Sequence, residues 1–287
     1  MSKTLIGKNK YLFLINDTSK ELEQHCNNLS LIQDPNLSRY TFKNFFITVF
    51  PDKSVQCKDY LPDKYKVKYR AALEIYLKKF KNKLLDTYQI LKDTNDIFYK
   101  TDTHMNLKGC YIVYCEFIKS INLLYNLNLT VKPVKIEQRE CILTSTGVGI
   151  GDLTWSINLG TQELGDDIND TYFFSNDIPP LYNSYKINNA DNIRIINYDL
   201  EDKTQELQDK NEFLHWTIIS NYIIHKGTNP NTKKVVIFYD SFLLNTLPLY
   251  IDLFENVYFI KEVFNPTILT KIKPDYVFEF RVERLLF

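Results

Sequence analysis

The sequence predicts an α/β protein built on a mainly parallel sheet flanked by helices, with an irregular, loop- and β-rich insertion inside it. Three observations carry this. Phe45-Phe46-Ile47-Thr48-Val49-Phe50 is an almost continuous apolar, β-prone run ended by Pro51, the pattern of a strand covered on both faces. Long stretches with apolar residues spaced three and four apart alternate with such runs. The carboxyl-terminal part has a βαβαβ rhythm, which requires parallel strands joined by crossovers.

Taken in order, Tyr11 to Ile15 is a five-residue apolar run, too short for the apolar region of a signal peptide. After the strand at Phe45–Phe50, residues 69–91 place Leu73, Tyr76, Leu77, Phe80, Leu84, Tyr88 and Leu91 on one face and predict a helix of several turns. Ile97 to Tyr99 reads as the next strand, and Leu107 to Tyr125 as the next helix, with Asn106 as its N-cap. From 132 to 231 the alternation fails. Gly147, Gly149, Gly151, Gly160 and Gly165 cluster there, and Leu214 to Ile224 is the one helix the pattern suggests. The rhythm returns as strand 234–239, helix 242–254, strand 257–260, helix 266–272 and strand 276–280. The expectation is one domain over residues 1–287, with 132–231 as an insertion within it.

Charge and cysteine usage exclude several classes. Lys+Arg and Asp+Glu are both 35, so no net field draws the chain to nucleic acid, and nucleic-acid partners are discounted. The cluster Lys78-Lys79-Phe80-Lys81-Asn82-Lys83 interleaves with apolar residues as a solvated helix face does. No stretch approaches the ~20 apolar residues of a spanning helix. Five cysteines at irregular spacing suit reduced thiols, and the expected location is cytoplasmic.

Two short segments carry chemistry. Asp102-Thr103-His104 follows the run Ile97–Tyr99, and Asp240-Ser241 follows the strand 234–239, so each stands where a strand runs out into a loop. Parallel sheets collect catalytic groups outside these carboxyl ends. A serine hydroxyl needs a base, and the base needs a group that fixes its tautomer. Ser241, His104 and Asp102 supply that set, with Asp102 and His104 two apart and so on one side of an extended segment. The Ser241 N–H at the start of a helix is a candidate oxyanion donor. Set against this, Asp240-Ser241 also reads as a simple helix cap, and His104 as a structural loop histidine.

The other histidines read as structural: His25 in a polar stretch, His215 in an aromatic helix, His225 at a helix end. Cys110 and Cys115 point apart on their helix and no second pair has zinc-ligand spacing, so no metal is expected. The Gly147-Val148-Gly149-Ile150-Gly151 run lacks the ending of a phosphate-binding loop and reads as a turn or an active-site loop. Gly151 and Asp152 in that loop, with Asn106, are the weaker candidates for oxyanion or substrate contact.

The segment Tyr99-Lys100-Thr101-Asp102-Thr103-His104-Met105-Asn106, followed by Gly109, resembles the Thr-Asp-Thr-His-Trp-Asn stretch of the alginate O-acetyltransferase group, the SGNH-hydrolase-like acetyltransferases. Gly7-Lys8-Asn9-Lys10-Tyr11-Leu12-Phe13-Leu14, Phe50-Pro51-Asp52-Lys53 with Tyr60-Leu61-Pro62, Gly151-Asp152-Leu153, Asp240-Ser241-Phe242, and Pro274-Asp275 with Glu283-Arg284 are similar to further pieces in the same order. The resemblance spans nearly the whole chain. It implies an SGNH-like fold in permuted order, with Ser241 as nucleophile, His104 as base and Asp102 as its orienter. It also implies transfer of acetyl through Ser241 to a sugar hydroxyl, a required acetyl donor but no bound cofactor, a carbohydrate acceptor, and room for a membrane-bound partner that delivers acetyl groups. The 19 Phe and 20 Tyr then suggest stacking surfaces for sugar rings. A carbohydrate esterase shares the same triad. Met105 in place of the Trp, and Tyr239 in place of a small residue, keep open a third reading, a catalytically silent glycan-binding or assembly module.

Overall fold

The computed structural model describes residues 4–27, 37–134, 136–139, 152–153, 171–174, 222–226, 232–244, 246–250 and 253–286. Ten strands are found there: β1 Thr4–Ile6, β2 Leu12–Leu14, β3 Phe45–Phe50, β4 Leu84–Asp86, β5 Ile136–Arg139, β6 Thr171–Phe174, β7 Tyr222–Lys226, β8 Lys234–Tyr239, β9 Asn256–Ile260 and β10 Tyr276–Val282. Six form the central sheet in the order β4-β3-β10-β8-β9-β7. The first five run parallel, and β7 closes the edge antiparallel to β9. β1–β2 and β5–β6 are separate antiparallel pairs.

The apolar runs are as continuous as burial on both faces demands, because successive side chains of a strand point to opposite layers. Phe46 and Phe50 of β3 belong to one hydrophobic layer, with Phe117 of the Leu107–Tyr125 helix packed 5.1 Å from Phe278 and 5.0 Å from Phe280. Phe45, Ile47 and Val49 face the other layer, where Tyr76 and Phe80 of the Ala71–Phe80 helix close over them. Among the described residues, the aromatic side chains expected as sugar-stacking surfaces are therefore mostly core. Tyr69 is the one aromatic among the exposed large hydrophobic side chains of the described residues.

Five expected elements differ. The helix expected over 69–91 is a helix only at Ala71–Phe80. It stops at Lys81, whose φ of 44° cannot continue it, and the chain drops into β4, paired with β3 through Ile47 and Leu84, before a short helix at Tyr88–Leu91. Edge pairing with β3 overrides the helical spacing, a tertiary effect that no local pattern carries. Ile97–Tyr99 is not a strand, since β4 already occupies the edge beside β3. The segment folds back instead, with a single bridge between Phe98 and Met105 and a hydrogen bond from the Asn106 N–H to the Ile97 carbonyl of 2.9 Å. The helix expected at 242–254 is two short ones, Ser241–Leu244 and Leu247–Tyr250. Thr246 turns its hydroxyl onto the Leu243 carbonyl at 2.9 Å, and Pro248 can only sit in a first turn. The helix expected over Leu214–Ile224 ends inside β7, which also holds His225 in a strand, while 214–221 and His215 lie outside the described residues. The strand at 276 runs two residues further, to Val282.

Because β3, β10 and β8 are parallel neighbours, their carboxyl ends open on one edge. Asp52-Lys53, Glu283-Arg284 and Asp240-Ser241 leave the sheet side by side there. Most of the expected 132–231 insertion lies outside the described residues, apart from β5, β6, β7, residues 132–134 and Asp152-Leu153. No helix among the described residues is long and apolar enough to cross a membrane.

Candidate active site

Ser241 enters the site from the end of β8. Asp240, just before it, is buried and spends both carboxylate oxygens on backbone, accepting the Phe242 N–H at 2.9 Å and the Val282 N–H at 2.7 Å. It thus ties the β8 exit to β10 and caps the following turn. Burial pushes its carboxyl up, partly offset by Arg281 and by these N–H groups. The cap reading of this pair is met, and it falls on Asp240. Asp240 does the capping and leaves the Ser241 hydroxyl free to face His104. Among the described residues no acceptor takes the Ser241 N–H.

His104 arrives from the folded-back loop. Its Nε2 lies 2.9 Å from Ser241 Oγ and its Nδ1 lies 2.6 Å from Asp102 Oδ1. The link between Asp102 and His104 is not the extended i, i+2 arrangement expected from sequence. The loop bends, and Asp102 Oδ1 also accepts the His104 backbone N–H at 2.8 Å, the local closure that Asp side chains favour in turns. Asp102 Oδ2 accepts the Asp152 N–H at 3.0 Å. Burial raises the Asp102 carboxyl, but the hydrogen bond and charge of His104 and the two N–H donors outweigh it and bring it down to about 2. Asp102 is therefore a carboxylate across the neutral range. The His104 ring also leans on Phe242, with 5.0 Å between ring centroids, which restricts its tilt.

Of the weaker candidates, Gly151 lies outside the described residues. Asp152 is placed on the Nδ1 side of the imidazole, away from Ser241. Its carboxylate takes the Thr103 N–H at 2.8 Å and the Thr103 hydroxyl at 2.6 Å, and comes within 3.7 Å of His104 Nδ1. Burial and the Asp102 charge raise its carboxyl. Asp102, His104 and Asp152 bring three ligand atoms within 4.8 Å of one another, but these atoms are already engaged with one another and with Thr103.

Asn106 is the N-cap, accepting the Gly109 N–H at 3.1 Å while its amide donates to the Asp96 carbonyl at 2.8 Å. Asn106→Ala should therefore cost stability, about 1–2 kcal/mol in denaturant melts, and leave the reactivity of Ser241 in place. A drop in that reactivity larger than the loss of folded protein would give Asn106 a second role.

The two departures from the family pattern are core residues. Met105 is 2% exposed and fills the space beside Gly109, where an added Cβ would lie 2.5 Å from Met105 Cγ. Tyr239 is buried in the same layer.

Sequence reasoning missed two features. Lys53 is buried beneath the Asp102 loop, and a network of buried charges lies below it. Arg284 reaches Asp52 and Glu21, His25 lies 2.9 Å from Asp52, and Arg70 joins Glu283 at 2.7 Å and Asp86 at 2.9 Å. The signal available was the charged Asp52-Lys53 pair just past Pro51, at the end of an almost continuously apolar strand. Such residues are seldom buried without partners.

No protein-family model and no curated protein matches the chain. Among solved structures it is similar to PatB1 of Bacillus cereus, with 13% identity, a TM-score of 0.62, and 100% of this chain and 97% of that one covered. It is also similar to PatB1 with a sulfonyl adduct, with 13% identity, a TM-score of 0.53 and coverage of 100% and 97%. A DHHW family protein from Eubacterium siraeum follows, with 16% identity, a TM-score of 0.54 and coverage of 99% and 94%. The chain thus has the α/β fold, a mainly parallel sheet flanked by helices, that the resemblance to the SGNH-like acetyltransferases implied.

Proposed function

We propose that this chain is a serine-dependent O-acetyltransferase that moves an acetyl group to a sugar hydroxyl through an acetyl-Ser241 intermediate. The observation that supports it most is the linear relay at the sheet edge, with Ser241 Oγ 2.9 Å from His104 Nε2 and Asp102 2.6 Å from Nδ1. Asp102 holds the proton on Nδ1, so Nε2 faces the serine with its lone pair. Ser241 Oγ attacks the acetyl carbonyl carbon of the donor as its proton passes to Nε2. The oxyanion so formed lies within reach of the Ser241 N–H. The donor's leaving group departs with the proton from His104. An acceptor hydroxyl then gives its proton to Nε2, attacks the acetyl-serine carbonyl, and releases Ser241 with its proton restored. Water in place of the sugar makes the same machinery an esterase. Met105 and Tyr239 lie in the core rather than over the relay, which favours an active site over a silent module.

Peptide mass spectrometry after brief exposure to p-nitrophenyl acetate, with a sulfonyl fluoride as second probe, tests the reading. Label confined to Ser241 and absent in Ser241→Ala is expected. Partition of the acetyl group between water and added oligosaccharides then separates esterase from transferase. Equal labelling of parent and Ser241→Ala protein would refute the assignment.

A further inference from the structure

Lys53 is 2% exposed, and all three of its ammonium hydrogens are spoken for by backbone. Nζ donates to the carbonyls of Tyr99 at 2.6 Å, Lys100 at 2.8 Å and Asp102 at 2.9 Å. The Tyr11 and Phe13 rings lie 5.5 and 5.6 Å from the same nitrogen. Among the described residues no carboxylate comes within ion-pair distance of it. An ammonium has three donors and no acceptor, so this cradle saturates it.

Such an arrangement is costly, because a buried cation without a paired anion loses its hydration and regains only dipoles. The cost is visible in the amine itself, which burial pulls down to about 8 against the opposing pull of Cys57, Asp102 and Asp152. The three carbonyls all belong to the segment that carries Asp102. That segment has no sheet to lie in, since β4 takes the edge position. Its other ties include the Leu12 N–H to the Lys100 carbonyl at 2.9 Å, the Leu153 N–H to the Thr101 carbonyl at 3.2 Å, the Tyr99 N–H to the His104 carbonyl at 3.4 Å and the Thr103 N–H to Asp152 at 2.8 Å, none of which gathers three of its carbonyls at one atom as Lys53 Nζ does. Lys53 comes from the opposite direction. It is the first residue of the Lys53–Gln56 helix, and its neighbour Asp52 is locked to Arg284 and His25 beneath the sheet edge. One turn after β3 therefore grips the buried charge network with one side chain and the relay loop with the next.

We propose that Lys53 is a positioning residue of the active site, whose ammonium gathers the Tyr99, Lys100 and Asp102 carbonyls and so aims the Asp102 carboxylate at His104 Nδ1. The proposal rests on the reading of Asp102 as the group that orients His104, and it adds the element that orients Asp102 in turn. Without the three bonds the carbonyls turn outward toward water and the Asp102 side chain moves with its backbone. A displacement of about 1 Å in such a relay costs on the order of 10²-fold in rate.

Lys53→Met keeps the length and apolar stem and removes the three donors, while Lys53→Gln keeps two of them on a shorter arm. Two readouts are needed. The first is the far-downfield proton NMR signal of the His104 Nδ1–H on Asp102, identified by its loss in His104→Ala and independent of any reaction. The second is the rate of Ser241 labelling per folded molecule. The expected result is that Lys53→Met, folded by near-ultraviolet circular dichroism, loses or shifts the downfield signal and labels about 10²-fold more slowly, with Lys53→Gln between it and the parent. If Lys53→Met does not fold, the comparison is read from Lys53→Gln. An unchanged downfield signal in the folded variant, with only a lowered melting temperature, would reduce Lys53 to a packing residue and overturn the proposal. Absence of Ser241 labelling in the parent would instead refute the acetyltransferase reading, and the NMR comparison would still decide the role of Lys53.

Discussion

Replacing His104 with Ala should slow acetylation of Ser241 by about 10⁴-fold or more, and Ser241→Ala should end it, because the hydroxyl at 2.9 Å from Nε2 loses either its base or itself. Asp102→Asn is the more discriminating variant. The amide cannot hold a proton on Nδ1 as a carboxylate does, so the imidazole takes the tautomer that presents N–H to the serine, and a loss of roughly 10⁴-fold is expected with the fold intact. Pre-steady-state labelling with p-nitrophenyl acetate measures all three. A parental rate in Asp102→Asn would remove Asp102 from the relay. Since Asp102 lies at about 2, its stabilising contribution is present above its unfolded value of 3.8 and lost as pH falls toward 2. Loss of activity above that range belongs to another group.

The second large effect is on stability. Arg284 is the cation between buried Asp52 and Glu21, and Arg284→Met leaves two carboxylates sharing His25. Breaking a buried pair on one side costs about 3–5 kcal/mol, which for a chain of this size is roughly 10 °C in melting temperature.

The same cluster sets the pH dependence. His25 has acceptors on both nitrogens, the Tyr69 carbonyl and Asp52, each at 2.9 Å, and can satisfy both only as imidazolium. Burial works against that charge, but the Asp52 hydrogen bond and charge prevail and raise His25 from 6.5 to about 9. Its contribution, about 3 kcal/mol, is fully present below 6.5 and lost as pH rises through 9. Glu21, raised by burial and Asp52 to about 7, and Glu283, raised by burial to about 6, act with the same sign at lower pH. Urea melts should show stability falling from pH 6 to pH 9, and His25→Gln should flatten the alkaline part of that slope. A parental slope in His25→Gln would mean that the imidazolium is not the group concerned.

What could be read from the chain alone was what depends on local pattern. β3, the Leu107–Tyr125 helix with its Asn106 cap, β8 and the Pro266–Ile272 helix declare themselves because burial on both faces, helical spacing and capping each leave a mark in consecutive residues. Ser241 stands where the sequence places it, at the carboxyl end of a parallel strand, but the strand expected before Asp102 and His104 is absent, and it is the folded-back loop that brings these two candidates to Ser241. β4 and the folded-back 97–106 loop were not legible. Which segment takes the open edge of β3 is a competition between distant pieces of chain, decided by pairing energy that neither piece encodes alone. The burial of Lys53, Asp52 and Arg284 was equally hidden. A charged residue marks a surface position unless its partners arrive from elsewhere in the chain, and here they arrive from the first helix, the Asp102 loop and the carboxyl terminus. The sequence by itself thus determined which groups are the candidates for the chemistry, and only the tertiary structure decided what holds them in place, because buried charges draw their stability from partners remote in sequence.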